Sequence, residues 1–351
     1  MKIQFFINHL ADGGAERMAA TLLNHLCEKH EVNLTLFCDK KATYYVDNKI
    51  STSKIIITGN NKIIKAIRRV FKIRKLIKKT KPDIIISFLT YTNIYVLLAN
   101  IILRRKIIVS ERNTLNRIKS KSVRIIRRIV YSHADIITFV TNADRENFGL
   151  QSKSVTIYNP VLFEPYANYD NRSKSIISIV SYERWYNKGL DLLLKAWAII
   201  APQNPDWSLE IIGKKGICNP PDEIAIQNLE RIIMSDWSND IEKELRTKSI
   251  FVMASRFEGC PCSLIEAMSQ GCACVVTNCD GGQKEIIEDG INGVIAQNEN
   301  VDDIATKLQM LIDDKNLRYR LSAGAIERVK NFNKNSFFAK WDKLIDEVTA
   351  K

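Results

Sequence analysis

The chain has 351 residues, 46% of them apolar, and a formal charge of +13. That length accommodates two domains of ordinary size with full hydrophobic cores. No apolar run reaches the ~20 residues a membrane-spanning helix needs; the nearest, 94–103, suits a buried helix better. Residues 61–129 hold 20 Lys or Arg against two acids, Asp83 and Glu111, so this segment exceeds the whole net charge and the remainder is acidic. A half so basic faces something anionic: a membrane surface, a phosphorylated acceptor or nucleic acid.

In chain order, the apolar run 2–7 reads as a buried first strand, and its position leaves no room for a secretory signal before it. Gly13-Gly14 follow in a loop and 15–26 reads as a helix. Strand, glycine loop and helix open a Rossmann-like half, without the G-x-G-x-x-G dinucleotide fingerprint. Strands are expected at 32–37 and 54–58. Residues 61–80 read as a docked helix, with Ile63, Ile64, Ile67, Val70, Phe71 and Ile77 recurring at three and four. Lys65, Arg68, Arg69, Lys72, Lys75, Lys78 and Lys79 stand opposite. A solvated basic face does not explain why no acid interrupts it. Contact with a membrane surface is therefore expected, with Phe71 and Ile73 inserting shallowly.

Strands at 83–88, 107–110, 135–140 and 155–158 complete a first sheet, with helices at 93–103 and 122–131. None of His9, His25, His30 and His133 stands in a catalytic setting. The polar stretch 162–174 reads as a hinge. The second half opens with a strand at 176–180, the loop Tyr182-Glu183-Arg184-Trp185-Tyr186-Asn187-Lys188-Gly189, and a helix at 190–200. Strands at 209–212 and 231–234 follow, with a variable loop and short helix at 220–229. Trp237 reads as core rather than as a stacking platform for a base.

The densest signal is 250–287. A strand at 250–254 runs into a Gly/Pro turn, and a helix spans 263–270 with Gly271 at the left-handed C′ position. A strand at 273–277 meets Gly281-Gly282, where a further helix starts at Gln283. In a parallel sheet both strand-to-helix turns lie at the carboxyl ends, where ligands bind. Glu258 and Glu266 are eight apart, one in the turn and one about a turn into the helix. The free N–H groups of 260–264 suit an anion such as a diphosphate. Helices at 301–312, 315–330 and 335–348 end the chain. Five of the eight cysteines fall between 260 and 279, as C-x-C, C-x-C and a lone residue. Zinc sites usually show C-x2-C pairs, so these read as buried thiols and no metal site is expected.

The pattern E-G-x-P-x-x-x-x-E-A-M-x-x-G, then G-G-x-x-E-I-I, resembles the donor site of family 4 retaining glycosyltransferases, which have the GT-B architecture. Here it is Glu258-Gly259-Cys260-Pro261 through Glu266-Ala267-Met268 and Gly271, then Gly281-Gly282-Gln283-Lys284-Glu285-Ile286-Ile287. The resemblance implies an α/β fold of two Rossmann-like domains facing across a cleft. Residues 1–165 would bind the acceptor, 166–334 the nucleotide sugar, and the helix in 335–351 would cross back to the first domain. Glu258 would be catalytic, holding the transferred sugar's hydroxyls, and Glu266 would hold the ribose diol. Gly14, Arg184, Lys188, Gly259, Cys260, Pro261, Cys262, Ser263 and Leu264 would complete the donor site. Family members carry G-R-x-x-x-x-K-G before the 190–200 helix. Lys188 matches, whereas strict spacing puts Glu183 at the arginine's place and Arg184 one residue late. Some members carry a histidine in the strand end Ser110-Glu111-Arg112-Asn113. Here Arg112, which cannot act as a base, would bind the acceptor together with Asn113.

The activity so implied is retaining, cofactor-free and metal-independent. A hexose or N-acetylhexosamine would pass from a nucleotide diphosphate sugar, UDP-linked, to a polyprenyl-diphosphate-linked oligosaccharide or a polysaccharide. The enzyme would lie in the cytoplasm, peripheral on the inner face of the cell membrane. Two alternatives stay open. A nucleotide-sugar isomerase of the 2-epimerase type needs acid and base groups over the ring that the histidines do not supply. A basic nucleic-acid-binding protein has the charge but lacks interleaved aromatics, and leaves the spaced glutamates unexplained.

Overall fold

A computed structural model of the chain describes all residues except 12, 116, 117, 119, 214–230, 239 and 351. The chain forms two compact units, Met1–Asn159 with Asn335–Lys351, and Pro160–Lys334. The loop expected at 220–229 lies outside the described residues.

In the first unit, β1 (Lys2–Ile7), β2 (Glu31–Leu36), β3 (Ser51–Lys54), β4 (Ile84–Phe88), β5 (Lys106–Glu111), β6 (Ile136–Phe139) and β7 (Ser154–Thr156) form one sheet in the order β3-β2-β1-β4-β5-β6-β7. Every pairing is parallel. The inner strands are apolar on both faces because helices cover both. Helix α1 (Gly14–Leu26) packs on one face. On the other lie α2 (Lys62–Thr80), α3 (Thr90–Asn100), α4 (Lys121–Tyr131) and α5 (Asn142–Phe148).

Three expectations change here. The third strand is the polar Ser51–Lys54, not 54–58, because the edge needs only backbone pairing to β2; Ile55 bonds Leu36 O and the chain then leaves the sheet. Helix α3 begins at Thr90, three residues before the expected start. Thr90 and Asn93 are turned inward to bond Glu111 and Ser110 at the end of β5, a tertiary demand that periodicity does not show. The apolar stripe of α2 is docked only in part, with Ile77 in the core and Val70 packed against it. Ile73 and Ile77 are buried, whereas Ile63 is 71% and Phe71 62% exposed, with Ile64 and Ile67 also in solvent. Ile73, expected to insert, is core.

In the second unit, β8 (Ser173–Ile179), β9 (Ser208–Ile212), β10 (Ile232–Ser235), β11 (Lys248–Met253), β12 (Ala273–Thr277) and β13 (Val294–Ala296) lie in the order β10-β9-β8-β11-β12-β13, all parallel. Its helices are α6 (Leu190–Ile200), α7 (Ile241–Thr247), α8 (Cys262–Ser269), α9 (Gln283–Ile286), α10 (Val301–Asp313) and α11 (Lys315–Val329). The strand order reverses between β8 and β11, so the loops after these two strands flank the crevice where open α/β sheets bind ligands.

The stretch expected to be a hinge is instead tied down. Tyr166 N–H bonds Ser269 O at 2.8 Å, and Gln270 donates to Glu164 O at 2.9 Å. The Arg172 guanidinium reaches Lys248 O at 2.8 Å, and Leu245 O and Gln270 O as well. The ends of this unit meet: Val161 pairs with Asn333, and Val161 N–H bonds Phe332 O at 2.7 Å.

Nearly all of the last helix, α12 (Lys334–Thr349), belongs to the first unit. Phe337, Trp341, Leu344, Ile345 and Val348 join the core beside α1, with Trp341 against Phe88 at 5.8 Å. Asp342 bonds His25 at 2.9 Å and Lys29 at 2.8 Å, and the His25 ring stacks on Phe338. Among the described residues no helix is long and apolar enough to cross a membrane.

Candidate active site

The loop after β8 ends in a 3-10 turn, Tyr182–Arg184, and a further turn that sets Lys188 just before α6. Gly189 stands at φ +60 with the chain after β11 against it. A Cβ there would lie 1.9 Å from Ala254 O, so only glycine allows the approach. The consequence is that Lys188 Nζ donates to Glu258 Oε1 at 2.7 Å. Ser255 Oγ donates to the same oxygen at 2.6 Å, and Thr277 Oγ1 fixes Ser255 by bonding its carbonyl at 2.6 Å. Both members of the ion pair are mostly shielded, with 22% and 11% of their side chains exposed. Two residues expected in separate roles thus touch.

Glu258 N–H bonds Asp280 O, and Gly282 N–H bonds Gly259 O at 2.6 Å, so the turns after β11 and β12 are stitched together. Gly281, at φ +153, would place a Cβ 2.3 Å from Glu258 O. Helix α8 starts at Cys262 after Pro261, and no side chain caps it. Its first N–H groups, those of Cys262, Ser263 and Leu264, lie at the partial positive end of the helix dipole. Gly271, at φ +73, ends the helix as expected. Glu266 lies one turn into α8 and is 3% exposed. Arg184 is exposed, and its carbonyl accepts from Lys188 N–H at 2.9 Å.

Sequence reasoning missed Arg256. Its guanidinium binds both carboxylate oxygens of Asp191, at 2.8 and 2.7 Å, and Tyr186 O at 2.7 Å. It lies 4.2 Å from the centroid of the Tyr186 ring, and its own N–H bonds Asn187 O. Burial acts to raise the Asp191 carboxyl, but the arginine outweighs it and holds the group below its ordinary range. An acid in the first turn of α6 reads as a helix-dipole residue, so nothing in the sequence pairs it with an arginine far along the chain. Trp237, expected in the core, is 49% exposed just past β10.

In the first unit Gly14 is the first residue of α1. Arg112 is buried over the Phe88 ring at 5.2 Å and bonds Asn159, while Asn113 is half-buried. The neighbouring Glu111 is fully enclosed, accepting from Thr90 at 2.6 Å and Tyr131 at 2.9 Å with Arg127 at 3.7 Å. Burial raises its carboxyl. Cys260, Cys272, Cys274 and Cys279 are buried thiols, and Cys262 is half-buried. Burial pushes Cys272 up to about 11 and Cys279 to about 12. Among the described residues no three His, Cys, Asp or Glu side chains gather as metal ligands.

Residues 167–328 match the family described as Glycosyl transferases group 1, and residues 12–163 match Glycosyltransferase Family 4. The chain is 29% identical over 357 residues to a GalNAc-alpha-(1->4)-GalNAc-alpha-(1->3)-diNAcBac-PP-undecaprenol alpha-1,4-N-acetyl-D-galactosaminyltransferase of Campylobacter jejuni, covering 99% of each. It is 27% identical to a second protein of that organism, an N-acetylgalactosamine-N,N'-diacetylbacillosaminyl-diphospho-undecaprenol 4-alpha-N-acetylgalactosaminyltransferase, covering 95% of this chain and 96% of the other. The crystal structure of Anabaena HepE in complex with UDP superposes with a TM-score of 0.82 at 17% identity, covering 99% and 100% of the two chains. The two sheets, the uncapped helix behind Glu258 and the two matched stretches agree, and the chain belongs to the family 4 glycosyltransferases of GT-B fold.

Proposed function

We propose that the enzyme transfers a hexose or N-acetylhexosamine, with retention, from a UDP-sugar to a polyprenyl-diphosphate-linked oligosaccharide or a polysaccharide. The observation that carries this reading is the placement of Lys188, Glu258 and the uncapped start of α8 around the point where the second sheet reverses its strand order. Cleavage of the bond between the sugar's anomeric carbon and the diphosphate leaves negative charge on UDP. Lys188, the first amides of α8 and Arg184 would stabilise it. Glu258, whose second oxygen is not the one taken by Lys188 and Ser255, would accept from the sugar's hydroxyls. Glu266 would accept from the vicinal ribose hydroxyls. The acceptor hydroxyl attacks from the face that the diphosphate leaves, and its proton departs with the phosphate. No protein base or metal ion is then needed.

In this reading the second unit takes the donor and the first the acceptor, through Arg112 and Asn113. The names of the Campylobacter relatives support a diphosphate-linked polyprenol as carrier. The exposed Ile63, Ile64, Ile67 and Phe71 of α2, and Ile125, Ile126 and Ile129 of α4, support peripheral contact with an anionic cytoplasmic leaflet. The test is a matrix of UDP-sugars against polyprenyl-diphosphate saccharides. UDP release that needs both substrates, and an anomeric proton signal of unchanged configuration, is expected. Release of no UDP with any pair, or conversion of the nucleotide sugar alone, overturns it.

A further inference from the structure

We propose that Arg256 is a positioning residue for the donor phosphates: through the 186–191 segment it holds Lys188 beside Glu258. This rests on the donor reading above. Among the described residues Arg256 bonds no side chain that the reading assigns to the donor, and its Nε lies 3.6 Å from the exposed Glu299. It grips instead the positions that bracket Lys188. One fork of the guanidinium closes on both oxygens of Asp191, three residues after the lysine. The same group bonds the carbonyl of Tyr186, two residues before it, and covers that residue's ring. The Arg256 N–H takes the carbonyl of Asn187, the lysine's neighbour. Arg256 itself follows Ser255 and precedes Glu258 by two, so the residue that fastens the lysine's loop is part of the loop that carries the lysine's partner.

A planar five-donor fork can make these bonds at once, and an ammonium cannot. A buried ion pair adds little net stability compared with apolar residues of the same volume. What it supplies here is registry between two loops of a crevice, with the phosphate ligand held in place before the anion arrives. Pre-organisation of this kind shows in affinity, because the loop's freedom need not be lost on binding.

The experiment measures binding of UDP by calorimetry and of uridine by NMR to the full chain. The variants are Arg256→Lys and the double change Asp191→Asn/Arg256→Gln, which leaves no buried charge unpaired. Each is also made in a Lys188→Met background. Expected is a loss of UDP affinity of about tenfold in the double variant, on the scale of one charge-assisted hydrogen bond, and a smaller loss in Arg256→Lys. Uridine binding stays unchanged, and no further UDP loss occurs once Lys188 is gone. If uridine and UDP weaken together, or the UDP loss persists in full without Lys188, Arg256 serves the fold alone and the proposal is overturned. Wild-type affinity for UDP in all Arg256 variants overturns it too. A wild-type protein that binds no UDP overturns the donor reading and this proposal with it.

Discussion

Lys188 Nζ and Glu258 Oε1 stand 2.7 Å apart across seventy residues of sequence. In the proposed donor site the lysine would face the diphosphate and the glutamate the sugar, so the pair would act as one electrostatic unit and the two substitutions should have opposite signatures. Lys188→Met should weaken UDP binding about 10- to 100-fold, the range of a charged hydrogen bond. Glu258→Gln should lower kcat about 10²- to 10³-fold, as for other groups aimed at transition-state charge, with UDP affinity kept or improved, because the lysine is released. Calorimetry and initial rates decide. A Glu258→Gln variant that loses UDP binding as severely as Lys188→Met would sink the division of labour.

Glu266 is the test of the ribose contact. Wild type should prefer UDP to its 2′,3′-dideoxy analogue. Glu266→Ala should bind both equally, with UDP weakened about tenfold, the scale of a hydrogen bond to a charged group. An undiminished preference in the variant would assign the ribose to another residue.

The outward isoleucines predict salt-dependent and salt-independent parts of membrane attachment. Wild type should float with vesicles containing anionic lipid at low salt. Each Lys or Arg near such a surface contributes roughly 1 kcal/mol, attenuated within a Debye length of ~8 Å. Changing Lys65, Arg68, Lys72 and Lys75 to Glu should abolish flotation. Ile63→Ser with Ile67→Ser and Phe71→Ser should weaken it even where the charge is intact. No flotation of wild type on anionic vesicles at low salt removes the membrane from the proposed function.

How much of this was legible is clearest at particular residues. The inner strands could be read because burial on both faces leaves uninterrupted apolar runs, and 273–277 is found where it was expected. The helix behind Glu258 could be read from Pro261 and Gly271, which act locally through fixed torsions. The partner of α2 could not. Periodicity shows that Ile63, Ile67 and Phe71 share a stripe but not whether protein covers it. Edge strand β3 is polar and exposed, and its backbone pairing to β2 leaves no apolar pattern in the sequence. Helices α5 and α7, seven residues each, are too short to show a periodic stripe. Arg256 was invisible because its meaning depends on an aspartate brought beside it only when the sheet forms.

The return of α12 carries a pH dependence. Burial alone would raise the Asp342 carboxyl, but its bonds to Lys29 and His25 prevail and hold it below the ordinary range. A lowered folded value means stabilisation that is present above the unfolded value of about 3.9 and lost as pH falls through the folded one. Asp342→Asn should therefore melt lower than wild type at pH 7, with the gap closing as the pH drops below 4. A gap that is constant from pH 7 to 3 would remove the carboxylate from the cause.

The meeting of Val161 with Phe332 and Asn333 makes the second unit an uninterrupted stretch whose two ends are one hydrogen bond apart. Topologically it is a cassette set into the first unit, which resumes with α12. A segment with adjacent ends can be exchanged without stretching its host, and closing the host around it costs little chain entropy. Grafting residues 160–334 from another member of the family between Asn159 and Asn335 should therefore transplant one substrate preference while leaving the other behind. New enzymes for glycan assembly could be composed in this way by recombination at two neighbouring junctions.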